Sequence, residues 1–370
     1  MRSIQLLAPG VLEEREMPQP PDPGHGEVTV RIRAVGVCGS DLHWYQDGRM
    51  GEIPAVYPQV LGHEPAGEVI AVGRSPDSPA APPRHSSAAP RQDVERDSGG
   101  DFAGHFSVGD RVVIEPTLTC GHCEFCLRGQ HNHCVRGVFL GGPQAPGLFR
   151  ECVTLAGSNC TRIPGSMDYG TATLAEPLAV MVHMLELIEI RAGDTVAVTG
   201  AGPIGVLCAA IARASGAGRV FIADRLPYRL KLAIAMGADV AIDTTVSSPV
   251  ETVMDATRGR GADVVLEAAG SPETVNAGIR MARMGGTVML IGIPSALHPK
   301  IDIHTAMMKE LRLQTLKRSN HRTQQALDLL VAGRIPASLI THTLPLAQTP
   351  KAFEMLTNYS DGVGKAIIEV

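Results

Sequence analysis

Four cysteines lie close together in the chain, in a C-x2-C-x2-C-x7-C pattern formed by Cys120, Cys123, Cys126 and Cys134. Thiolates at this spacing can close a tetrahedron around one zinc ion. Because four thiolates fill every coordination position, the pattern predicts a structural zinc site with no position for a substrate. Catalytic chemistry is therefore expected elsewhere in the chain.

A second set of residues that can bind a metal is incomplete. Cys38 lies in VGVCGSDLH, and His63 and Glu64 lie in LGHEPAGEV. Three such ligands would leave one position on a zinc ion open for a substrate. Neighbouring residues of a regular strand point to opposite faces, so His63 and Glu64 can reach one ion only where the backbone bends. Gly62 and Pro65 favour that bend. Taken singly, each ligand also fits a structural interpretation as a buried thiol, a hydrogen-bonded imidazole or a solvated carboxylate.

Glu176, in LAEPLAV, is a further acidic candidate. It precedes Pro177 at a predicted helix start, where a carboxylate compensates the helix dipole. From this residue alone, the structural role is the favoured interpretation.

The segment TVAVTGAGPIG predicts a dinucleotide-binding site, because its glycines directly follow an apolar strand and open a helix. Gly200 can turn sharply, Gly202 lets a pyrophosphate approach the backbone, and Gly205 permits close helix packing. The next strand, RVFIAD, ends in Asp224, whose carboxylate would bind the adenosine ribose and repel a 2′-phosphate. NAD is therefore favoured, although Arg225 could receive the phosphate of NADP.

The elements that must position these residues form two groups. Segments 27–35, 67–72 and 110–114 are β-branched and partly alternating, which predicts a β-rich N-terminal domain. From about Thr195, apolar strands alternate with helical segments, which predicts a parallel α/β sheet. The expected strands are 195–199, 219–223, 262–266 and 286–292, with helices such as 203–215 and 228–236 between them.

Composition divides the chain further. Segment 74–105 is rich in Pro, Ala, Ser, Asp and Arg and lacks large apolar anchors, which predicts a solvated, mobile insertion. The closing GKAIIEV reads as a strand that returns to the first domain. The predicted division, based on the order of strands, helices and motifs along the chain, is a zinc-binding catalytic domain at 1–160, an NAD-binding domain at 161–298 and a C-terminal segment at 299–370 that completes the catalytic domain.

The totals exclude several classes of protein. The chain has 370 residues, of which 44% are hydrophobic and 19% charged, with a formal net charge of -5. This charge gives no attraction for nucleic acid or for an anionic membrane surface, so neither is expected as a partner. The apolar stretch 195–211 is divided by glycine and proline and is not expected to span a membrane. No signal peptide is predicted, so the thiolates favour metal over disulfides and the cytoplasm is the expected location.

Together these segments resemble the zinc-containing medium-chain dehydrogenase/reductase family, in particular its sorbitol (polyol) and L-idonate dehydrogenase branch. CGSDLH, GHE, the four-cysteine pattern, AEPL, GAGPIG and GKAII occur in the family's order and cover nearly the whole chain outside 74–105. The resemblance implies an α/β protein with a GroES-like β-rich catalytic domain and a Rossmann domain with a doubly wound parallel sheet. It also implies a homodimer or homotetramer.

The resemblance implies roles for individual residues. Cys38 and His63 would hold the catalytic zinc, and Glu64 and Glu176 would alternate as the third ligand or reach it through water. Ser40 and His43 match the positions of a proton relay. Residues matched to cofactor binding are Gly200, Gly202, Pro203, Ile204, Gly205, Asp224, Arg229, Ile291, Gly292 and Ile293. Leu316-Lys317 stand where sorbitol dehydrogenases carry a Phe-Arg pair.

The resulting prediction is an NAD-dependent oxidoreductase with one catalytic and one structural zinc per chain. It would transfer hydride from a secondary alcohol of a polyol or sugar-derived substrate and produce a ketone. Trp44 and Tyr45 are expected to form aromatic walls of the substrate pocket. L-threonine 3-dehydrogenase and an aldose or sugar-acid dehydrogenase are alternatives within the enzyme class. A non-catalytic NAD-binding protein or a zinc-ribbon protein is the alternative from a different class.

Overall fold

The structure, a computed structural model, describes residues 1–73, 106–294 and 297–370. The insertion predicted at 74–105 lies outside the described residues. Within the described ranges, no helix is both long and apolar enough to cross a membrane.

The helices and strands fall into three runs along the chain. The first run comprises β1 (Arg2–Ala8), β2 (Val11–Glu16), β3 (Glu27–Gly36), α1 (Gly39–Asp47), β4 (Arg49–Met50), β5 (Ile53–Pro54), β6 (Gln59–Val60), β7 (Glu64–Val72), β8 (Arg111–Ile114), β9 (Thr117–Leu118), α2 (Glu124–Leu127), β10 (Val138–Phe139), β11 (Cys152–Ala156), β12 (Cys160–Arg162) and α3 (Tyr169–Ala172). The second comprises α4 (Ala175–Leu187), β13 (Thr195–Thr199), α5 (Pro203–Ala214), β14 (Arg219–Asp224), α6 (Pro227–Ala235), β15 (Val240–Asp243), α7 (Pro249–Ala256), β16 (Ala262–Glu267), α8 (Pro272–Met281), β17 (Ala282–Leu290), α9 (Ile303–Met308), β18 (Arg312–Thr315) and α10 (Thr323–Val331). The third comprises β19 (Ile340–Pro345), α11 (Thr349–Thr357) and β20 (Lys365–Glu369).

The first domain is built on a sheet with β3 at its centre. The strand order is β12-β8-β7-β3-β20-β19, and β11 also pairs with β3. Val28, Val30 and Ile32 of β3 are fully buried, as expected for alternate residues that share one face of a strand. The antiparallel pairing of β20 with β3 places the last described strand at the middle of this sheet.

The second domain is a parallel sheet with strand order β15-β14-β13-β16-β17-β18. All of its strand pairs are parallel. Its central strands TVAVT and ADVVLE are nearly continuous apolar runs, because helices cover both faces of the sheet. This arrangement confirms the predicted α/β fold class with a doubly wound Rossmann sheet.

Two sequence-based domain boundaries do not coincide with the strand pairing. The boundary at 160 falls at the first residue of β12, which pairs with β8 in the first sheet. The boundary at 298 separates β18 from its partner β17, although the two pair at the edge of the parallel sheet. Strand pairing depends on partners that are distant along the chain, which local sequence patterns do not reveal.

Candidate active site

The four cysteines of the C-x2-C-x2-C-x7-C pattern lie in one lobe around α2. Their sulfur atoms lie within 4.8 Å of one another. The Sγ–Sγ distance is 3.5 Å for Cys123–Cys126 and for Cys120–Cys134, and 3.9 Å for Cys123–Cys134. Zinc–sulfur bonds of about 2.3 Å would place tetrahedral thiolates about 3.8 Å apart, so the lobe has the dimensions of a zinc site.

The pKa values of these thiols are shifted in opposite directions. Burial raises the pKa of the Cys126 thiol to about 12, whereas a hydrogen bond from the backbone amide of Cys126 lowers that of Cys123 to about 6. Four thiols packed this closely can all ionise only when a cation neutralises them.

Cys38, His63 and Glu64 converge where β3 ends and β7 begins. Gly36 of β3 pairs with Glu64 of β7, so Cys38 lies beside the start of β7. The ligand atoms of the three side chains lie within 4.8 Å of one another. The backbone bend that this requires is at Gly62, whose φ of +89° favours glycine. One thiol, one imidazole and one carboxylate suit zinc and leave a coordination position for a substrate.

Asp41 orients His63, a role that the spacing of metal ligands does not reveal. The fully buried Asp41 places Oδ1 3.4 Å from His63 Nδ1. It accepts hydrogen bonds from the backbone amides of Gly62 and Cys38, each at 3.1 Å. Burial alone would lower the pKa of His63, but Asp41 and Cys38 beside it raise the pKa well above its ordinary value. A carboxylate that holds one imidazole nitrogen directs the other toward a metal.

Glu64 forms a buried ion pair with Lys365, the first residue of β20. The two residues are 0% and 1% exposed. Burial alone would lower the pKa of Lys365, but the carboxylate of Glu64 and the thiol of Cys38 raise it above its usual range. Gly36 provides the space for the pair, since an added Cβ there would collide with the Glu64 carboxylate. Lys365 belongs to the closing GKAII motif, for which the sequence suggested no role in the site.

Glu176 lies in the first turn of α4 and faces the same cluster. Burial raises the pKa of its carboxyl to about 8; His63 opposes this increase, and Glu64 adds to it. Its carboxylate is not part of the group whose ligand atoms lie within 4.8 Å. The structure thus brings Cys38, His63 and Glu64 together and places Glu176 close enough to interact with them electrostatically.

Ser40 and His43 both lie on α1, three residues apart and therefore on one face of the helix. Ser40 Oγ lies 3.3 Å from His63 Nε2. His43 Nδ1 lies 3.3 Å from Asp47 Oδ2, and 27% of the His43 side chain is exposed. The serine is therefore next to the candidate zinc ligands, and the histidine reaches solvent.

Arg318 is a further residue near Cys38, His63 and Glu64 that the sequence did not single out. Its guanidinium carbon lies 4.0 Å from the centre of the Phe139 ring, which lies 5.0 Å from the centre of the His63 ring. Burial lowers the pKa of Arg318, whereas the carboxylates of Glu176 and Glu115 raise it. Arg318 therefore brings a cationic donor to the candidate zinc site.

The residues expected around the substrate pocket lie in different surroundings. Lys317, expected with Leu316 at the position of the Phe-Arg pair, is exposed, and the adjacent Arg318, which is also exposed, places its guanidinium over the Phe139 ring. The expectation that Trp44 and Tyr45 form aromatic walls of the pocket is corrected, because they are only 5% and 9% exposed and lie in the core of the first domain. Tyr45 follows His43 by two residues, so it lies on the opposite side of helix α1 and packs against Phe353.

A cavity of about 670 Å³ lies at the carboxyl ends of β13, β14 and β16. This is the switch point at which the strand order of a doubly wound sheet reverses. Gly200 takes a φ of +90°, as a tight turn requires. A Cβ at Gly205 would collide with the Gly200 carbonyl, whereas a Cβ at Gly202 would meet only Arg229 Nη1, at 3.8 Å. The loop therefore leaves open space beside Gly202, where a pyrophosphate can approach the backbone.

The predicted cofactor residues differ in their relation to this cavity. Gly200, Gly202, Asp224 and Arg229 line it, and Arg229 Nε is buried without a hydrogen-bond partner. Asp224 accepts hydrogen bonds from the amides of Ala201 at 2.7 Å and Leu226 at 2.9 Å. Helix α5 begins with Pro203 and Ile204. Among the described residues, the lining does not include Ile291, Gly292 or Ile293, which follow β17.

Comparison with known proteins identifies the family. Residues 24–165 match the family described as the alcohol dehydrogenase GroES-like domain, and residues 203–332 match the zinc-binding dehydrogenase family. The chain is 32% identical over 349 residues to sorbitol dehydrogenase of Bacillus subtilis (strain 168), and the aligned region covers 94% of this chain and 91% of that protein. The chain belongs to the zinc-containing alcohol dehydrogenase family.

Other members of the zinc-containing alcohol dehydrogenase family are similar over comparable lengths. L-arabinitol 4-dehydrogenase of Hypocrea jecorina is 32% identical, with 93% of this chain and 85% of that protein covered. The solved structure of an alcohol dehydrogenase from Thermus sp. ATN1 matches with a TM-score of 0.85 and 30% identity, covering 100% of both chains. These findings confirm the predicted family and enzyme class and argue against a zinc-ribbon or non-catalytic protein.

Proposed function

We propose that this dehydrogenase oxidises a secondary alcohol of a polyol or sugar-derived substrate to a ketone, with NAD as the hydride acceptor. The observation that carries the proposal is the Arg318 guanidinium, which lies over Phe139 beside His63. A guanidinium there can bind the second hydroxyl of a polyol, whereas a simple alkanol would offer it no partner. Two of its relatives are named for sorbitol and L-arabinitol.

The catalytic zinc would be held by Cys38 and His63, with Glu64 or Glu176 as the third ligand. When bound, zinc increases the acidity of the substrate hydroxyl and the nicotinamide ring accepts the hydride. Ser40, whose Oγ lies 3.3 Å from His63 Nε2, is positioned to relay the hydroxyl proton, accepting it while giving up its own proton toward solvent. His43 is exposed enough to exchange that proton with solvent. Asp41 holds the His63 ring in orientation throughout.

The cofactor preference follows from the charges around the ribose site. Asp224 uses each carboxylate oxygen for one backbone amide, and each oxygen can accept a second hydrogen bond from a ribose hydroxyl. Its negative charge would repel a 2′-phosphate, so NAD is proposed over NADP.

The parallel sheet also offers a surface for assembly. β18 is one of its two edge strands in the described structure, and Ile303, Met307 and Met308 of the adjacent α9 are exposed. An unpaired edge beside exposed apolar side chains favours pairing with a second copy. We therefore propose a homodimer or homotetramer.

A substrate panel tests the proposed reaction. Polyols, sugar acids, L-threonine and an unfunctionalised secondary alcohol are supplied with NAD or NADP, and formation of reduced cofactor is followed by absorbance. The highest kcat/KM is expected for a polyol or sugar acid with NAD. Faster turnover of threonine or of the simple alcohol than of every polyol and sugar acid would refute the proposal.

The role of Arg318 is tested in the same panel. Arg318→Met is expected to raise the KM for the best polyol by about tenfold or more, since a hydrogen bond to a charged group is worth about 1.5–3 kcal/mol. The simple alcohol should be affected much less, because it offers the guanidinium no hydroxyl. The matched control Lys317→Met changes the exposed neighbour and should leave both substrates unaffected. An equal loss for both substrates in Arg318→Met would indicate a structural role instead.

We further propose two zinc ions per chain, one in each cysteine-containing cluster. Metal analysis of protein purified without chelator should give two, and Cys126→Ser should lose one of them together with part of the thermal stability, because structural zinc binding contributes directly to folding. The control is Cys152→Ser, which replaces a half-buried thiol outside both clusters and should retain both zinc ions. A single zinc in fully active wild-type protein would contradict the four-cysteine site.

A further inference from the structure

Tyr359 belongs to one domain but lines the cavity of the other. It lies between α11, whose Phe353 and Leu356 pack in the core of the first domain, and β20, which pairs with β3. The cofactor cavity is otherwise lined by residues 199–277 of the Rossmann domain. The Tyr359 side chain is 41% exposed. A residue of the catalytic domain therefore reaches the adenosine end of the proposed cofactor site.

Two guanidinium groups lie against the Tyr359 ring. The Arg229 guanidinium carbon is 4.9 Å from the ring centre, and that of Arg225 is 5.3 Å from it. Both arginines also line the cavity. Such distances correspond to cation–π contacts, which hold a guanidinium by its face and leave its N–H groups at the edge free to donate.

Arg229 is directed toward the space that a pyrophosphate or ribose would occupy. Its Nη1 is the one atom within 4 Å of a Cβ placed on Gly202, and its Nε is buried without a hydrogen-bond partner. A buried donor without a partner is costly unless a ligand supplies an acceptor. The guanidinium of Arg229 thus has an unpaired hydrogen-bond donor beside Gly202, where the glycine loop leaves room for the cofactor.

The backbone of Tyr359 is held in an uncommon conformation. Its φ is +52°, in the left-handed region that bulky side chains rarely occupy. Such a conformation persists only where the surroundings impose it, and it is frequent at ligand sites. Here it directs an aromatic side chain from the catalytic domain onto the two arginines.

We propose that Tyr359 is a cofactor-positioning residue, which holds Arg229 and Arg225 at the adenosine and pyrophosphate end of the cofactor cavity. The inference rests on the proposed use of NAD. Because the ring fixes the guanidinium groups before the cofactor arrives, less side-chain entropy is lost on binding. The effect is therefore on the affinity for the ADP portion of the cofactor and not on hydride transfer.

The test is calorimetric titration with ADP-ribose, which requires neither substrate nor reaction. Tyr359→Leu, which removes the ring, is expected to raise the Kd about tenfold, equivalent to about 1.4 kcal/mol. Tyr359→Phe retains the ring and should stay within about twofold of wild type, because the ring face carries the contact. Asn358→Ala, at the adjacent exposed position of the same loop, is the matched control and should also bind as wild type. In kinetics, Tyr359→Leu should raise the KM for NAD and leave the KM for the alcohol unchanged.

Several results would overturn the inference. Wild-type affinity in Tyr359→Leu would do so, as would an equal loss in Tyr359→Phe, which would assign the effect to the hydroxyl. A lower unfolding temperature of Tyr359→Leu together with a rise in the KM for the alcohol would indicate a merely structural role. Wild-type protein that binds ADP-ribose but oxidises no polyol would refute the proposed function and leave this inference standing.

Discussion

Replacing Cys38 with serine is expected to lower kcat/KM by more than about 100-fold, because loss of a group that only supports a metal ligand already costs about 10–100-fold. The serine hydroxyl is a far weaker zinc ligand than a thiolate, and it would leave His63 and the glutamates to hold the ion. The fold should survive, since Cys38 is a half-buried residue outside the two large apolar cores. Steady-state kinetics with the best substrate of the panel measures the effect.

The control for this variant is Cys152→Ser, which changes a thiol of similar exposure outside both clusters. It should retain wild-type activity. Metal analysis should show that Cys38→Ser loses the catalytic zinc and keeps the structural one. Cys126→Ser should lose the structural zinc and keep the catalytic one. Wild-type kcat/KM in Cys38→Ser would eliminate the candidate zinc site as the centre of the reaction.

Replacing Lys365 with methionine is expected to lower the apparent free energy of unfolding by about 3–5 kcal/mol, the cost of removing one partner of a buried ion pair. In zinc-free protein, the variant leaves the Glu64 carboxylate, which is 0% exposed, without its cation. Chemical denaturation followed by circular dichroism measures the change.

Two controls separate the ion pair from a general effect of substitution. Glu64→Gln combined with Lys365→Met removes both charges and should recover most of the lost stability. Arg33→Met breaks a 2.7 Å ion pair that joins β3 to Glu68 of β7 at the surface, and it should cost no more than about 1 kcal/mol. A double variant as unstable as Lys365→Met would show that the lost stability does not come from an uncompensated Glu64.

The elements that the sequence predicted well are those whose signals are local. The run TVAVT predicts a strand at 195–199, and β13 has those bounds, because an apolar run bounded by turn residues is a strong signal for a buried parallel strand. The candidate ligands Cys38, His63 and Glu64 could likewise be named from residue type, and the structure brings their ligand atoms within 4.8 Å.

What the sequence did not predict depends on partners that are distant along the chain. The strand expected at 286–292 is observed as β17 over Ala282–Leu290, because Ala282 already pairs with Ala262 of β16, ahead of the two glycines Gly285 and Gly286. After Leu290, the amides of Ile291 and Gly292 both donate to the Glu267 carbonyl, which ends the regular pairing.

The supporting residues of the site were missed for the same reason. Lys365 acquires its role only when β20 reaches β3, and Arg318 only when Phe139 lies beneath it. Asp41 could be noticed in the sequence as an acidic residue one helical turn after Cys38. Its role, orienting His63, depends on where the fold places that histidine.

The pairing of β20 with β3 also has a consequence for biosynthesis. β3, Cys38 and Glu64 leave the ribosome long before Lys365 does, and the whole Rossmann domain is translated between them. At about 5–20 residues per second, this interval lasts roughly 15 to 65 s. During that time residues 34–36 of β3 lack the strand that later pairs with them, and the Glu64 carboxylate has no lysine beside it. In this interval the Glu64 carboxylate is not yet paired with the Lys365 ammonium. A zinc ion that arrives then does not compete with the lysine for Glu64, so the order of translation favours early binding of the metal.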